Sequence, residues 1–284
     1  MNIRSILALI DGGPNSRCAL TAAIRVGQAF DAHVEVLHVE QPIGPIVPML
    51  PMAGTDTMID AFEHDAKQRT AKADSLFQEL CVNAGLRVID PEDSQTDGCT
   101  FSWRLVSGHD NPELARRGRL CDLVVMARAD EANGGVDSAI LEAALFDTGR
   151  PVLIAGEQSL DYRHCRCAIA WDGSREAAQS IGSALPFLAQ AGEVVILSVV
   201  DKAPVADADG LLNYLQRHEI SGQAVIVKRS GRSIASALKS EIDSRHIDLV
   251  IMGAYGHSPI EEFIFGGVTR DMLTEDQIPL LLAH

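Results

Sequence analysis

Four glycines near the C-terminal end of the chain are the residues best placed to approach a ligand: Gly253, Gly256, Gly266 and Gly267. Glycine has no side chain, so the backbone itself can come close to a bound group. The first pair follows an apolar run, Leu249–Met252, which is typical of a buried strand. The second pair precedes a helix predicted over Val268–Thr274. Because a helix N-terminus presents unpaired N–H groups, this stretch predicts a site for an anionic ligand.

The sequence offers no evident catalytic group at this place. Ser174 and Ser258 have no His/Asp arrangement that would make either one a nucleophile. No zinc-protease helix, paired CxxC, Walker lysine or carboxylate dyad is readable. A solvated loop accounts for Tyr255 and His257. The residues therefore indicate binding rather than catalysis.

The charge of the chain limits its partners. The net charge is −15 over 284 residues, and the lysines and arginines form no cluster. Such a chain is a poor candidate for binding nucleic acid or an anionic membrane. The N-terminal apolar run is too short for a signal peptide, and no run approaches a membrane span, so we predict a cytoplasmic protein. The six cysteines show no disulfide framework, and Cys165 and Cys167 are interpreted as buried thiols.

Periodicity predicts alternating strands and helices in both halves of the chain. In the first half the predicted strands are Ile3–Ile10, Val34–Val39, Thr100–Val106, Leu123–Met126 and a run from Pro151, with helices over Ser16–Phe30, Asp56–Ala84, a short segment from Asn111, and Ser138–Phe146. In the second half the predicted strands are Cys167–Trp171, Glu193–Val200, Ala224–Val227, Leu249–Met252 and a run from Pro279, with helices over Arg175–Gln190, Leu211–His218, Gly231–Ser244 and Val268–Thr274.

The second half repeats the landmarks of the first. Asp11-Gly corresponds to Asp172-Gly, Ser107-Gly to Ser230-Gly, and Asp122–Met126 to Asp248–Met252. A repeat of this kind predicts two domains, 1–157 and 158–284, with the boundary near Gly156–Arg163. Residues 41–70 are an insertion in the first domain. Its proline loop, Pro42–Pro51, could be a lid, a partner-binding surface or a packed Ω-loop.

The alternation predicts an α/β fold with two doubly wound parallel sheets. Such sheets bind ligands outside the carboxyl ends of their strands. Asp172, the Gly253–Gly256 loop and the end of the Val194–Val200 strand would share that edge. Two simpler interpretations stay open: the glycines serve only turns or close packing, and Asp172 is only a helix N-cap.

These residues together resemble the universal stress protein family in its tandem two-domain form. The resemblance rests on Gly253-x2-Gly256-x9-Gly266, on Asp172-Gly-Ser and on the terminal Pro279-Leu-Leu-Leu. It implies five-stranded sheets of order 3-2-1-4-5, paired through their terminal strands. It also implies a stress-response sensor or regulator that binds an adenine nucleotide (ATP, ADP or AMP), with or without Mg²⁺. A homodimer is compatible with this form.

The resemblance also implies roles for individual residues. Asp172 would lie by the ribose, and Val199 would contact adenine through its backbone. The ribose and phosphates would be wrapped by Gly253, Gly256, Gly266, Gly267, Val268 and Thr269. Met252 joins this set at the end of its strand, and Trp171 would either stack on a base or fill the pocket.

The chain departs from the family pattern in both halves. Gly267 replaces the usual Ser/Thr, and the spacer His257–Phe265 carries Glu261 and Glu262 instead of a cation. These changes favour AMP or ADP relative to ATP. In the first half, Ala127, Asp130, Ser138 and Ala139 replace the glycines, and Glu131 and Asp137 add negative charge. We interpret that half as having lost the site and serving as a packing partner.

Two other classes of function compete with nucleotide sensing. The degenerate first half, the acidic spacer and the apolar proline loop would suit a nucleotide-independent interaction module that works through protein–protein contacts. A slow nucleotide hydrolase ranks last, because the sequence shows no evident general base or Arg/Lys clamp for phosphoryl transfer.

Overall fold

The computed structural model describes residues 2–40, 55–93, 97–128, 138–157, 159–200, 207–254, 267–275 and 278–284. The proline loop Pro42–Pro51 and its alternative roles lie outside this part of the chain. The first half contains β1 (Ser5–Leu9), α1 (Ser16–Phe30), β2 (His33–Glu40), α2 (Thr55–Phe77), β3 (Thr100–Ser107), α3 (Asp110–Gly118), β4 (Leu123–Met126), α4 (Ser138–Phe146) and β5 (Val152–Ile154).

The second half repeats this order of elements. It contains β6 (Arg166–Ala170), α5 (Arg175–Leu188), β7 (Glu193–Val200), α6 (Ala208–Arg217), β8 (Gln223–Lys228), α7 (Ile234–Arg245), β9 (Leu249–Gly253), α8 (Gly267–Glu275) and β10 (Leu280–Ala283). The predicted alternation of strands and helices is therefore confirmed. Most predicted boundaries differ from the observed ones by one or two residues, which is the usual uncertainty at element ends.

The strands form one ten-stranded sheet with the order β3-β2-β1-β4-β5-β10-β9-β6-β7-β8. Each half has the predicted order 3-2-1-4-5, with parallel neighbours. The halves meet where β5 and β10 run antiparallel, with Leu153 opposite Leu281. The central strands are apolar on both faces because helices cover both sides of the sheet.

One carboxylate contact is repeated in the two halves. Asp122 Oδ2 accepts a hydrogen bond from the backbone nitrogen of Ser5 at 3.0 Å. Asp248 Oδ2 accepts one from the backbone nitrogen of Arg166 at 2.7 Å. Each aspartate thus fixes the start of the neighbouring parallel strand. The internal repeat seen in the sequence therefore extends to individual hydrogen bonds.

Three local predictions need correction. Helix α7 begins at Ile234 and not at Gly231, because Ser233 caps it by accepting from the nitrogen of Ser236, and Gly231 has φ +81°. Helix α2 ends at Phe77 and continues as a π-helical turn, Gln78–Val82. Trp171 lies just beyond β6 and not within it.

The remaining observations concern cysteines and membrane spans. Cys165 and Cys167 are buried, with their sulfurs 3.5 Å apart, so the interpretation as buried thiols is confirmed. In the described ranges, no helix is both long and apolar enough to cross a membrane. The proposed domain boundary at 157/158 falls between β5 and β6 and stays a prediction.

Candidate functional site

A cavity of about 220 Å³ opens at the carboxyl ends of the strands in the second half. The ends of β6, β7 and β9 form its floor, and α5, α7 and α8 form its walls. This is the edge where the sequence predicted a ligand. The residues that line it are Ala170, Trp171, Asp172, Ser174, Glu176, Ala177, Leu197, Val199, Ile234, Leu238, Met252, Gly253, Gly267, Val268 and Thr269.

Eight of the ten predicted site residues line this cavity: Trp171, Asp172, Val199, Met252, Gly253, Gly267, Val268 and Thr269. They come from four separate stretches of the chain, which the sheet brings to one edge. Gly256, Gly266 and the spacer His257–Phe265 lie outside the described residues, as does Tyr255. Contact of these residues with a ligand stays a prediction.

One end of the cavity is apolar. Leu197 and Val199 are two residues apart on β7, so their side chains share a face. Leu238 of α7 and Met252 of β9 are almost fully buried against it. An apolar slot of this kind suits a flat heterocycle better than it suits a charged group.

The polar rim is built by the turn between β6 and α5. Asp172 Oδ1 accepts a hydrogen bond from the backbone nitrogen of Ser174 at 2.9 Å. Ser174 Oγ in turn accepts from the backbone nitrogen of Ala177 at 3.1 Å, which makes Ser174 the N-cap of α5. The interpretation of Asp172 as the N-cap is therefore wrong. Asp172 is exposed, and its Oδ2 has no hydrogen bond in the part of the chain that the structure describes.

Gly253 is required by packing and not by a turn. It is the last residue of β9 and not a loop residue, and it pairs with Ala283 of β10. A Cβ there would lie 2.6 Å from both the nitrogen of Ala177 and the carbonyl carbon of Glu176. The absence of a side chain lets α5 press against β9. This close approach sets the width of the cavity.

The N-terminus of α8 forms the third wall. Gly267, Val268 and Thr269 are its first three residues, and Thr269 is buried. Backbone N–H groups in the first turn of a helix have no intrahelical acceptor. A Cβ on Gly267 would meet no described atom within 4 Å, so sterics alone do not require glycine there. Because its first-turn N–H groups have no intrahelical acceptor, this helix end can bind an anion.

Glu176 is a site residue that the sequence reasoning missed. It is buried in the first turn of α5 and is paired with Arg175, whose Nη2 is 3.0 Å from Oε1. A hydrogen bond from its own backbone N–H, then Arg175 and His284, lower the pKa of Glu176, while burial opposes them. An acidic residue in a first helical turn is common, so nothing in the sequence marked it.

The described lining carries two carboxylates, Asp172 and Glu176, and no Lys, Arg or His. Glu176 is paired with Arg175, whereas Asp172 has no described counterion, so the rim keeps a net negative charge that repels a highly charged ligand. The spacer His257–Phe265 carries Glu261 and Glu262, so its charge has the same sign as that of the lining. The electrostatics of the described site therefore favour a ligand with fewer phosphates.

Trp171 lines the cavity. Its indole Nε1 is buried and has no hydrogen-bond partner in the described residues. Since this nitrogen is not exposed to the cavity, a ligand would meet the apolar part of the ring. Both of the roles considered for Trp171, stacking and filling, use that surface.

At the equivalent edge of the first half, α2 lies directly against the turn that follows β1. A side chain at Gly12 would collide with the backbone carbonyl of Arg69 on α2. Asp11 Oδ1 accepts from the nitrogen of Gly13 at 2.9 Å and from Ser16 Oγ at 2.7 Å. Arg69 Nη1 lies 3.9 Å from Asp11 Oδ2. The aspartate that corresponds to Asp172 is thus engaged by the chain itself.

Comparison with known proteins finds a family match in the second half of the chain. Residues 206–284, from α6 to the C-terminus, match the model of the family described as "Universal stress protein family". The matched segment includes the glycine motif, α8 and β10. No curated protein sequence gave a significant match.

The universal stress protein fold extends over the whole chain. A universal stress protein from Archaeoglobus fulgidus DSM 4304 is similar over 98% of this chain and 97% of its own, with a TM-score of 0.67 and 15% identity. A protein of unknown function from Pseudomonas aeruginosa PAO1 is similar over 99% of this chain and 92% of its own, with a TM-score of 0.59 and 13% identity. These similarities establish the tandem architecture.

Proposed function

We propose that the second half of this universal stress protein binds an adenine nucleotide and that the chain acts as a stress-response sensor or regulator. The observation that carries the proposal is the cavity itself. An apolar slot, an exposed carboxylate and a helix N-terminus lie around one opening, in the order that base, ribose and phosphate require. The sensor role rests on the match of residues 206–284 to the universal stress protein family model.

The slot formed by Leu197, Val199 and Leu238 would take the adenine ring. Asp172, with Oδ2 unengaged, would accept hydrogen bonds from the ribose hydroxyls. The N–H groups at the start of α8, which have no intrahelical acceptor, would bind the phosphate nearest the ribose. Each part of the nucleotide thus meets a group of matching chemistry.

Among the adenine nucleotides, the site favours AMP or ADP over ATP. Asp172 supplies negative charge, Glu176 is already paired with Arg175, and the described lining includes no Lys, Arg or His to offset further phosphates. If Mg²⁺ accompanies ADP or ATP, it would reduce this repulsion. We therefore expect Mg²⁺ to strengthen the binding of ATP most and the binding of ADP less, and to leave the binding of AMP unchanged.

Thermal unfolding with added nucleotide tests this proposal. A ligand that binds only the folded state raises Tm in proportion to the logarithm of its concentration over Kd. Protein stripped of nucleotide should gain Tm with millimolar AMP or ADP and gain less with ATP in the absence of Mg²⁺. GMP is the matched control for base recognition. No shift with any adenine nucleotide, or an equal shift with GMP, would contradict the proposal.

A nucleotide-independent interaction module is the second candidate. The observation that favours it is the pair of carboxylates in a cavity without a described cation. Under this alternative the sheet edge would serve protein–protein contacts, and the Tm of the stripped protein would be the same with and without nucleotide.

A further inference from the structure

Arg128 connects the first half of the chain to the wall of the cavity in the second half. It lies two residues beyond β4 and is buried, with 6% of its surface exposed. Its Nη1 donates to the backbone carbonyls of Met272 at 2.8 Å and Leu273 at 2.7 Å. Its Nη2 donates to the carbonyl of Ile278 at 2.6 Å. All three acceptors lie at the C-terminal end of α8 or in the segment that leads to β10.

This contact has a clear physical role. The last carbonyls of a helix have no intrahelical donor, and a cation near them is favoured by the helix dipole. A buried guanidinium needs acceptors of its own, because an unpaired buried charge is strongly unfavourable. The Nη groups of Arg128 and the carbonyls at the end of α8 therefore supply partners for one another. Breaking the contact would remove these charged donors from the end of α8.

The arrangement is asymmetric, although the fold is a repeat. The landmarks Met126 and Met252 make Ala254 the residue that corresponds to Arg128. An alanine cannot reach the end of α4. Where the second half approaches α4, the ring of His284 packs edge-on to Phe146 at a centroid distance of 4.6 Å. A buried charged side chain of the first half thus contacts the end of α8, whereas the second half contacts α4 through an aromatic pair.

The clamped helix is the one that closes the cavity. Val268 and Met272 are four residues apart on α8, or about 6 Å along the helix axis. Val268 and Thr269 line the cavity, and Met272 accepts from Arg128. A helix of nine residues moves as a unit, so fixing one end limits where the other end can lie.

We propose that Arg128 is a positioning residue through which the first half sets the ligand affinity of the second. This inference rests on the proposed nucleotide function. The first half holds α8 in the orientation that presents its N-terminal amides, so that binding does not have to order the helix. By linkage, a ligand at the N-terminus of α8 must also stabilise the Arg128 contact at its C-terminus.

The test compares Arg128→Met with a matched control, Arg119→Met, in the full chain. Arg119 Nε also donates to a carbonyl at a helix C-terminus, that of Asp147 at 2.9 Å, but it is exposed and touches α4. Calorimetry with AMP should show at least tenfold weaker binding for Arg128→Met, within the usual range of coupling between sites, and no change for Arg119→Met. Arg128→Lys keeps the charge but not the planar set of guanidinium donors. Its affinity for AMP should lie between the affinities of Arg128→Met and Arg119→Met.

Amide hydrogen exchange separates positioning from simple destabilisation. In the wild type, AMP should slow exchange at the amides of Ala127 and Arg128, which belong to the first half and not to the half that holds the cavity. Arg128→Met should abolish that response at 127–128. In ligand-free protein, Arg128→Met should speed exchange in α8 while β1–β4 keep their protection. If Arg128→Met does not fold, calorimetry with AMP and amide hydrogen exchange are measured on Arg128→Lys instead.

The outcomes are distinct. Wild-type affinity in a folded Arg128→Met or Arg128→Lys protein would overturn the inference, as would protection at 127–128 that survives the mutation. If the wild type itself binds no adenine nucleotide, the proposed function fails first. Faster exchange in α8 of Arg128→Met would then show a structural clamp only, and the claim about affinity would be overturned with the function.

Discussion

The Cβ position of Gly253 lies 2.6 Å from the backbone nitrogen of Ala177, so strand β9 and the first turn of α5 are in direct backbone contact. The glycine belongs to the family motif, yet its first task is packing. Because both segments line the cavity, this contact connects the stability of the domain to the shape of its site. The corresponding residue of the first half is Ala127, so that half cannot form the same approach.

Replacing Gly253 by alanine should therefore reduce both stability and ligand affinity. Overpacking of this kind lowers the free energy of unfolding by about 1–3 kcal/mol. Urea denaturation measures that loss, and calorimetry with AMP measures the affinity. Gly267→Ala is the control for stability, since its added Cβ meets no described atom within 4 Å. Equal stability of Gly253→Ala and wild type would show that α5 shifts freely and that the contact does not shape the site.

Asp172→Asn tests the role assigned to the carboxylate. Asparagine can still accept the hydrogen bond from the nitrogen of Ser174, so the turn should persist, while the acceptor for ribose hydroxyls becomes weaker. We expect affinity for AMP to fall about tenfold, the loss of one hydrogen bond to a charged group. Asp90→Asn is matched, because Asp90 Oδ1 accepts from the nitrogen of Glu92 at 2.9 Å in an exposed turn. Undiminished binding by Asp172→Asn would remove Asp172 from the site.

Filling the apolar slot should block the base. Ile234 lines the cavity and is partly exposed, so Ile234→Trp places an indole in the slot without overpacking the core. Binding of AMP should drop below detection in calorimetry while Tm stays near that of the wild type. Ile226→Trp is the control, since Ile226 is 55% exposed on β8 and does not line the cavity. Full binding by Ile234→Trp would mean that the base lies elsewhere.

His33 should make the fold sensitive to acid. Its ring lies between Thr100 Oγ1 at 2.9 Å and Ser102 Oγ at 3.1 Å. Burial lowers the pKa of His33, and Glu35 only partly opposes this. A depressed pKa in the folded state contributes stability above the unfolded value of 6.5 that is lost as the pH falls through the folded value.

Denaturation between pH 7.5 and pH 5 should therefore show a smaller loss of stability in His33→Gln than in the wild type. The exposed His164 provides the matched variant, His164→Gln, which should follow the wild-type curve. Parallel curves for His33→Gln and the wild type would show that this ring does not contribute to acid sensitivity.

Local patterns in the sequence determined much of what was predictable. Continuous apolar runs such as Leu123–Met126 appear as strands with the predicted bounds, and α1 begins and ends at Ser16 and Phe30 as its periodicity indicated. Eight of the predicted residues line the cavity because a motif and a repeat place them at strand ends or at the start of α8. These features depend on neighbours close in sequence or on a pattern that recurs.

Features that depend on contacts between distant segments were not predictable in this way. Arg128 and Ile278 are 150 residues apart, and no periodicity relates them. Ile234 and Leu238 were missed because the helix start was placed at Gly231, before the cap formed by Ser233. Glu176 was missed because its burial comes from the approach of α5 to Gly253, which is visible only in three dimensions.

Isothermal titration calorimetry of AMP into the full-length protein, stripped of bound nucleotide, tests the central claim most directly. The account predicts saturable binding with one site per chain, which Ile234→Trp abolishes and Ile226→Trp retains. No heat of binding with AMP, ADP or ATP at millimolar concentration, in protein shown to be folded, would contradict the account and leave the cavity without its proposed ligand.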